Sequence, residues 1–437
     1  MKKYISIALS LLTLGAFILA LWQNVVNIPS YDDYAATLIF LKNHYYHSTD
    51  AIGKIRALFY PHGEHYIVTS RLSAAIAYTF TGSVNFTALV WYQNLYLLGV
   101  FVLILLIMRE QGVSLFTVII PVSLCLFSLS FWQVSLYYWG GVQYYTVFFF
   151  AILSLYCLNK ADENSGFYFP LAILFVAMAI LSFGNGILVL PLGFFLLAAQ
   201  NKKKYLRIWT GFGVLAVLLF LSGHHSGFAY KPAFNPEWMA RLLFTFLGSF
   251  LYVSPQSADW KYINIVVCMV AGMGVMYLWF RLLFAGYAFR NPLPYCLLSL
   301  PILTGILIAL TRFDSKAAGG IAPRYQFFSA CIPVFLLLIF YENIKKSKKP
   351  VILPVIGLVA AVWGMSFRNN LREIDRFNEE IVQNFRQWQK NNTTPLVYYK
   401  PDPSYSDALA WALSTGTYTF PAAYQKLGEG PRVAKGR

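Results

Sequence analysis

The sequence predicts an all-α polytopic membrane protein, a bundle of about eleven transmembrane helices with further helices lying at the membrane surface. Of its 437 residues, 58% are hydrophobic and only 12% are charged, whereas soluble domains carry about 25% charged residues. Several runs of about 20 residues contain no charge, and this is the length that an α-helix needs to cross a bilayer. The composition therefore excludes an ordinary soluble domain.

The charge-free runs place the membrane-spanning helices. The runs 111–159 and 164–201 are too long for one helix each, and breaks at Trp139-Gly140-Gly141 and at Gly184-Asn185-Gly186 are expected to divide them. The eleven expected spans lie at residues 4–22, 86–108, two within 111–159, two within 164–201, 206–222, 262–280, 293–311, 325–341 and 350–367. No convincing small-x-small cleavage site follows the first run, so we expect an uncleaved helix there.

Two further stretches, 64–81 and 237–253, are apolar but carry one arginine each, and we expect them to be amphipathic helices at the interface. We divide the chain into a transmembrane domain, 1–367, and an outer-face C-terminal amphipathic helix with a tail, 368–437. In this second part apolar residues recur every three or four positions, as in an amphipathic helix. They are Leu371, Ile374, Phe377, Ile381, Phe385 and Trp388.

The net charge of +16 indicates orientation in a bilayer rather than a nucleic-acid partner, because the basic residues gather in short loops. With the N-terminus in the cytoplasm, the basic loops all fall on the cytoplasmic side. They contain Lys2 and Lys3, Arg109, Lys160, Lys202 to Lys204 with Arg207, Arg281 with Arg290, and Lys345, Lys346, Lys348 and Lys349. The long loops 23–85, 223–261 and 312–324 then face outward. We expect a bacterial inner membrane and an active face in the periplasm.

An acidic pair stands in the first outer loop, in the stretch IPSYDDYAATL. Asp32 and Asp33 are two of only 18 acidic residues in the chain. A carboxylate at the membrane surface is able to take a proton from an attacking hydroxyl as a general base. The alternative is a purely structural role, in which Ser30, Asp32 or Asp33 caps the following helix. We favour Asp33 as the base and Asp32 as its capping or positioning neighbour.

The same loop contains the stretch His62-Gly63-Glu64-His65. It matches neither zincin pattern, and no third metal ligand is evident, so we expect no metal cofactor here. We expect His62, Glu64 and His65 to orient a substrate hydroxyl or phosphate. An interfacial loop of polar residues without a ligand remains the alternative.

A basic cluster lies in the third outer loop, TRFDSKAAGGIAPRYQFF. Arg312, Lys316 and Arg324, with Tyr325 beside them, stand at the outer ends of two expected spans, and Lys231 adds positive charge on the same side. Arginine and lysine bind phosphate well. The alternative for each residue is that it reaches toward lipid headgroups.

These features together resemble the GT-C superfamily of membrane glycosyltransferases. The acidic pair of YDDY, followed by FYPHGEHYIVTSRL, is similar to bacterial members of that group, and the similar motif covers about residues 31–72. By size and span count the chain most resembles the serotype-converting O-antigen glucosyltransferases that phages often carry. The resemblance implies a GT-C-like bundle, although the pair does not have the DxD spacing of metal-dependent members.

The resemblance also implies a reaction. The donor would be a sugar, glucose in the narrower expectation, on undecaprenyl phosphate, and the acceptor a hydroxyl of a lipid-linked glycan such as O-antigen. Arg312, Lys316, Arg324 and Arg71 would hold the phosphate, and Asp32 or Asp33 would deprotonate the acceptor. The lipid bilayer would hold the donor's chain.

Two other classes of function stay open. A flippase or transporter of lipid-linked sugar would place charges at the membrane midplane within its spans, and these spans are nearly free of charge. An O-antigen polymerase would share the span count and the outer basic residues, but it does not require an early acidic pair. Substitution of Asp32 and Asp33 separates these classes.

Overall fold

The computed structural model describes residues 2–63, 65–162, 166–222, 234–346, 352–397 and 402–421. Within these ranges the chain is almost entirely helical and forms no strand. Glu64 and Lys231, both expected at the site, lie outside the described residues.

Seven helical stretches are long and apolar enough to cross a membrane. The helices that form them are α1 (Lys2–Asn24), α4 (Phe86–Glu110), α5 (Leu115–Leu126) with α6 (Trp132–Leu136), α7 (Tyr138–Lys160), α12 (Ala258–Phe284), α14 (Pro292–Arg312) with α15 (Lys316–Gly320), and α16 (Pro323–Lys346). An all-α membrane protein is thus what the described residues form. The expected count of about eleven spans is not confirmed.

The four remaining expected spans are also helical. Two form the shorter apolar helices α8 (Tyr168–Ser182) and α9 (Val189–Ala199), the latter preceded by the 3-10 segment Gly184–Leu188. The other two lie in α10 (Lys203–Ser222) and in the first part of α17 (Ile352–Lys390), and both adjoin residues that the structure does not describe.

Smaller helices complete the chain. They are α2 (Ala51–Leu58), α3 (Val68–Thr81), α11 (Pro236–Gly248), α13 (Tyr287–Arg290) and α18 (Pro403–Ser414), with π-helical turns at Tyr34–Ile39 and Leu41–Tyr46 and 3-10 turns at Leu129–Phe131, Ser249–Leu251 and Phe313–Ser315. The two stretches that we expected at the interface contain α3 and α11. Both bury one face against the long helices, through residues such as Ala74 and Phe246.

The bundle has two chemically different ends. At one end Lys160 pairs with Glu110 at 2.8 Å, and the ammonium of Lys202 donates to the carbonyls of Leu158 and Asn159 at 3.1 and 2.9 Å. These are loops that the sequence assigns to the cytoplasm. At the opposite end lie the first loop, the start of α16 and the second half of α17. The positive-inside rule alone says which end is which.

The break in the run 111–159 does not fall at Trp139-Gly140-Gly141, where we expected a turn. These residues lie inside the first turns of α7, and the chain instead bends at Tyr137, whose backbone is extended. The glycines serve close packing: a Cβ on Gly141 would lie 2.1 Å from Nε2 of Gln93, and one on Gly140 would lie 2.7 Å from the Gln133 carbonyl oxygen.

The last expected span and the expected outer amphipathic helix form one continuous helix, α17, which passes through the boundary at 367 without interruption. Its second half buries a row of side chains against the first loop and α18. They are Ile374, Ile381, Phe385 and Trp388. The chain then returns over the first loop, where Lys42 forms an ion pair with Asp407 of α18. Helices α17 and α18 thus pack against the first loop, which contains the acidic pair.

Candidate functional site

The acidic pair lies in a tight turn directly after α1. Tyr31 has a φ of 47°, which is uncommon for a residue with a side chain and is found disproportionately at functional sites. The amide of Asp33 donates to the Ser30 carbonyl at 2.9 Å and closes the turn. A π-helical turn, Tyr34–Ile39, follows at once, and such turns also mark functional sites.

Asp33 is buried, with only 2% of its surface exposed. Its Oδ2 accepts from the Ser30 amide at 3.0 Å, and it makes no capping bond to its own helix. Burial raises the pKa of Asp33 well above its ordinary value, although the amides of Ser30 and Trp139 favour the charged form. Asp33 therefore does not form the side-chain cap that was the alternative for it, and this carboxyl group faces inward toward the start of α7.

Asp32 is only half-buried, and it lies near the basic cluster. The charges of Asp32, Arg312 and Arg324 all act on one hydroxyl, that of Tyr144 in α7. Asp32 and Arg324 are separated by almost 300 residues in the sequence. The fold thus brings these three charged side chains within electrostatic range of one buried phenol.

Aromatic rings surround Tyr144. Its ring centroid lies 5.2 Å from that of Phe183 and 6.3 Å from that of Tyr325. Phe183 in turn contacts the imidazole of His65, with centroids 4.5 Å apart. Gly184 leaves room for that imidazole, because a Cβ there would lie 2.5 Å from Nδ1 of His65. His65 and Tyr325 therefore belong to the same site as the acidic pair.

The basic residues divide into two groups. Arg312 is exposed at the end of α14, and the half-buried Arg324 lies over the ring of Tyr325, 4.9 Å from its centroid. Lys316 instead lies over the ring of Trp238 in α11, with its Nζ 4.1 Å from the centroid. Arginines with this exposure remain able to bind a phosphate from the membrane surface.

Arg71 has contacts of its own. It is 2% exposed and lies over the ring of Phe40 at 5.2 Å, and its Nη1 donates to the Tyr60 carbonyl. Burial lowers the pKa of Arg71 to about 10. Burial and the charge of Arg71 also lower the pKa of His44, whose ring stacks on Tyr60. Arg71 holds the first loop in place through these contacts.

The backbones of His62 and His65 bond to each other, at 2.9 and 3.1 Å between amide and carbonyl, and close a turn in which Gly63 has a φ of 57°. No group of three His, Cys, Asp or Glu side chains close enough to hold a metal ion occurs among the described residues.

An apolar groove of about 370 Å³ opens between α9 and α10. Leu190, Pro191 and Phe194 form one wall, and Trp209, Val214 and Val217 contribute to the other. The indole of Trp209 donates to the Leu190 carbonyl at 2.9 Å and ties the two helices together. The first lining residue, Leu190, follows in the chain soon after the Gly184–Leu188 segment, in which Gly184 contacts His65.

Sequence reasoning did not find Tyr144, Phe183 or the amide of Trp139 as parts of the site. The two glycine-containing breaks were signals for this region, because each lies within four residues of one of these aromatic side chains. Aromatic residues are so frequent in this chain that the sequence alone does not show which tyrosine belongs to the site. The spatial neighbours of Tyr144 are needed to recognise it.

The fold and the site together are those of an all-helical, multi-pass membrane protein with a charged cluster at one end of its bundle. Comparison with family models, with curated proteins and with solved structures gives no match to this chain.

Proposed function

We propose that this protein is a GT-C-type glycosyltransferase of the bacterial inner membrane. It would transfer a sugar from a polyprenyl-phosphate carrier to a hydroxyl of a lipid-linked glycan at the periplasmic face. The observation that carries the proposal is that the loop of the acidic pair and the basic loop meet at the start of α7: Tyr31, next to Asp32, contacts Trp139, and Arg324 lies over Tyr325, whose ring centroid is 6.3 Å from that of Tyr144. A base and a phosphate-binding pair at a membrane surface are what this transfer requires.

In the proposed reaction Asp32 accepts the proton of the acceptor hydroxyl as its oxygen attacks the anomeric carbon of the donor sugar. The bond between that carbon and the phosphate oxygen breaks, and polyprenyl phosphate leaves with both bonding electrons. Arg312 and Arg324 stabilise the negative charge that develops on the phosphate. Attack opposite the leaving group inverts the configuration at the sugar carbon.

This assignment exchanges the roles that the sequence favoured for the two acids. Asp33 is buried and faces the turn and the start of α7, so an acceptor has no access to it in this conformation. Asp32 is half-exposed beside the arginines. We therefore assign catalysis to Asp32 and positioning of the turn to Asp33.

The apolar groove between α9 and α10 supports a lipid-linked donor. It is lined by apolar residues of two helices, so it offers an apolar surface on which a polyprenyl chain would lie. The half-buried rings of Phe183 and Tyr325, which contact the buried Tyr144, are of the kind that packs on the apolar faces of a sugar ring.

The test is mass spectrometry of the lipid-linked glycans of host cells that carry wild-type, Asp32→Asn or Asp314→Asn protein. Asp314 is an exposed acid at the same end of the bundle and serves as the matched control. We expect Asp32→Asn to remove one sugar substituent while polymer length stays unchanged. A change in polymer length would favour a polymerase, and glycans identical in all strains would refute the transferase.

A further inference from the structure

We infer that helix α17 positions the acidic turn, and that Phe377 is the positioning residue that holds Tyr31, and through it Asp32, in place. The first observation is the strained backbone of Tyr31, whose φ of 47° lies in the left-handed region. A residue with a side chain stays there only when its surroundings hold it. The residue that follows is Asp32, so the direction of that carboxylate depends on this backbone.

The ring of Tyr31 is held between two elements that are distant in the sequence. It stacks on Phe377 of α17, with centroids 5.1 Å apart and planes 2° from parallel. On another side it contacts Trp139 at the start of α7, at 5.4 Å. Because the ring is fixed by both contacts, rotation of Tyr31 to a relaxed backbone would break the stack.

Phe377 is itself fixed. Trp132 and Tyr137 meet its ring edge-on, at 5.0 and 4.9 Å. The next residue, Asn378, accepts from the hydroxyl of Tyr137 at 2.6 Å and donates to the carbonyl of Asn24, the last residue of α1, at 2.8 Å. Helix α17 is thus hydrogen-bonded to α1, which precedes the acidic turn, and to Tyr137, which lies directly before α7.

These contacts make α17 a part of the site rather than a tail beside it. Loss of the Phe377 ring would let Tyr31 leave the left-handed region and would move Asp32 relative to Arg324. The effect on transfer rests on the proposed function, whereas the effect on the position of Asp32 does not.

The first experiment measures the position of residue 32 directly. Asp32→Cys is introduced into the full chain, and its rate of labelling by a membrane-impermeant maleimide is measured in native membranes. The native cysteines give little background, because four are buried and Cys125 is half-buried within α5. The chain without Asp32→Cys measures that background.

The labelling rate is then compared in chains that also carry Phe377→Ala, Phe377→Tyr or Phe367→Ala. Phe367 is a half-buried phenylalanine of the same helix whose ring contacts Trp363 rather than the acidic turn, so it is the matched control. We expect at least a fivefold change with Phe377→Ala, and near wild-type rates with the other two. Equal rates in all chains would overturn the inference. If Phe377→Ala does not accumulate, Phe377→Leu takes its place with the same two outcomes.

A second readout separates this inference from the proposed function. With Asp32 intact, Phe377→Ala should lower kcat for sugar transfer from undecaprenyl-phosphate-glucose while KM changes little, and Phe377→Tyr should keep kcat near the wild-type value. Unchanged kcat together with altered labelling would refute the catalytic part only. Transfer that survives Asp32→Asn would refute the proposed function, and the labelling result would still decide the role of Phe377.

Discussion

At the scale of single residues, the degree of burial distinguishes two neighbouring aspartates that the sequence alone does not distinguish. Asp33 is 2% exposed, whereas Asp32 is half-buried beside two arginines. The residue before this pair, Tyr31, has a left-handed backbone, and Asp33 stands at the start of the following helix without forming a side-chain cap. The pattern YDDY therefore predicted the location of the acids but not their roles.

The raised pKa of Asp33 leads to a prediction about stability. Between its ordinary pKa, about 4, and its raised value, the folded protein binds a proton that the unfolded chain has lost. In that window the stability of the wild type falls as pH rises. We expect Asp33→Asn to remove this loss, so the melting temperature of the variant relative to wild type should rise as pH increases above about 4.

The measurement is thermal unfolding in detergent across this range, with Asp314→Asn as the control, since Asp314 is exposed. The control should follow the wild type at every pH. A melting temperature of Asp33→Asn that stays at a constant offset from wild type would show that Asp33 is charged in the folded protein.

At the scale of elements, charge-free runs and periodicity predicted where helices occur, but not where they end. The run 111–159 breaks at Tyr137, whereas its glycines lie inside α7, where Gly141 packs closely against Gln93. Glycine is typical of both turns and close helix contacts, so the sequence alone could not separate these uses. The continuity of α17 across residue 367 was hidden for a similar reason, since its apolar and amphipathic halves look like two elements.

The crossing of α11 and α12 gives an element-scale prediction. A Cβ on Gly272 of α12 would lie 1.9 Å from the carbonyl oxygen of Phe244, whereas Gly274 of the same helix has open space. We expect Gly272→Ala to destabilise the protein by about 1–3 kcal/mol, because the two helices must move apart. Gly274→Ala should be neutral or slightly stabilising. Thermal unfolding of both variants is the test, and equal melting temperatures would contradict the close crossing.

The groove between α9 and α10 gives a second prediction at the scale of elements. Val214→Trp would fill it, whereas Leu215→Trp adds the same bulk to a neighbouring exposed position that does not line it. We expect Val214→Trp to raise KM for undecaprenyl-phosphate-glucose at least fivefold and to leave kcat nearly unchanged, since the groove would bind the chain and not the reacting atoms. Equal KM values for the two variants would remove the groove from the donor site.

At the scale of the whole molecule, the sequence placed the basic loops at one end and the site at the other. The contacts of Glu110 with Lys160 and of Lys202 with α7 unite loops that the positive-inside rule assigns to the cytoplasm. The convergence of the first loop with the starts of α7 and α16 was beyond sequence reasoning, because nothing in a charge map tells which helices are neighbours. The hypothesis that an acid of the pair and Arg324 act in one site came from the resemblance to GT-C enzymes and not from the charge map.

Sidedness is tested by cysteine labelling in spheroplasts with an impermeant maleimide. Ser404 of α18 and Lys204 of α10 are exposed at opposite ends of the bundle. We expect Ser404→Cys to react at once and Lys204→Cys to react only after lysis, because the basic loops face the cytoplasm. The reverse pattern would place the site inside the cell and contradict the proposed periplasmic reaction.

The most direct test of the central claim is transfer of labelled glucose from undecaprenyl-phosphate-glucose to host lipid-linked glycan by the purified protein in nanodiscs. The account predicts transfer by the wild type and by Asp314→Asn, and a loss of about 100-fold or more in Asp32→Asn, since a general base contributes about 10²–10⁴-fold. Transfer by Asp32→Asn at the wild-type rate would contradict it.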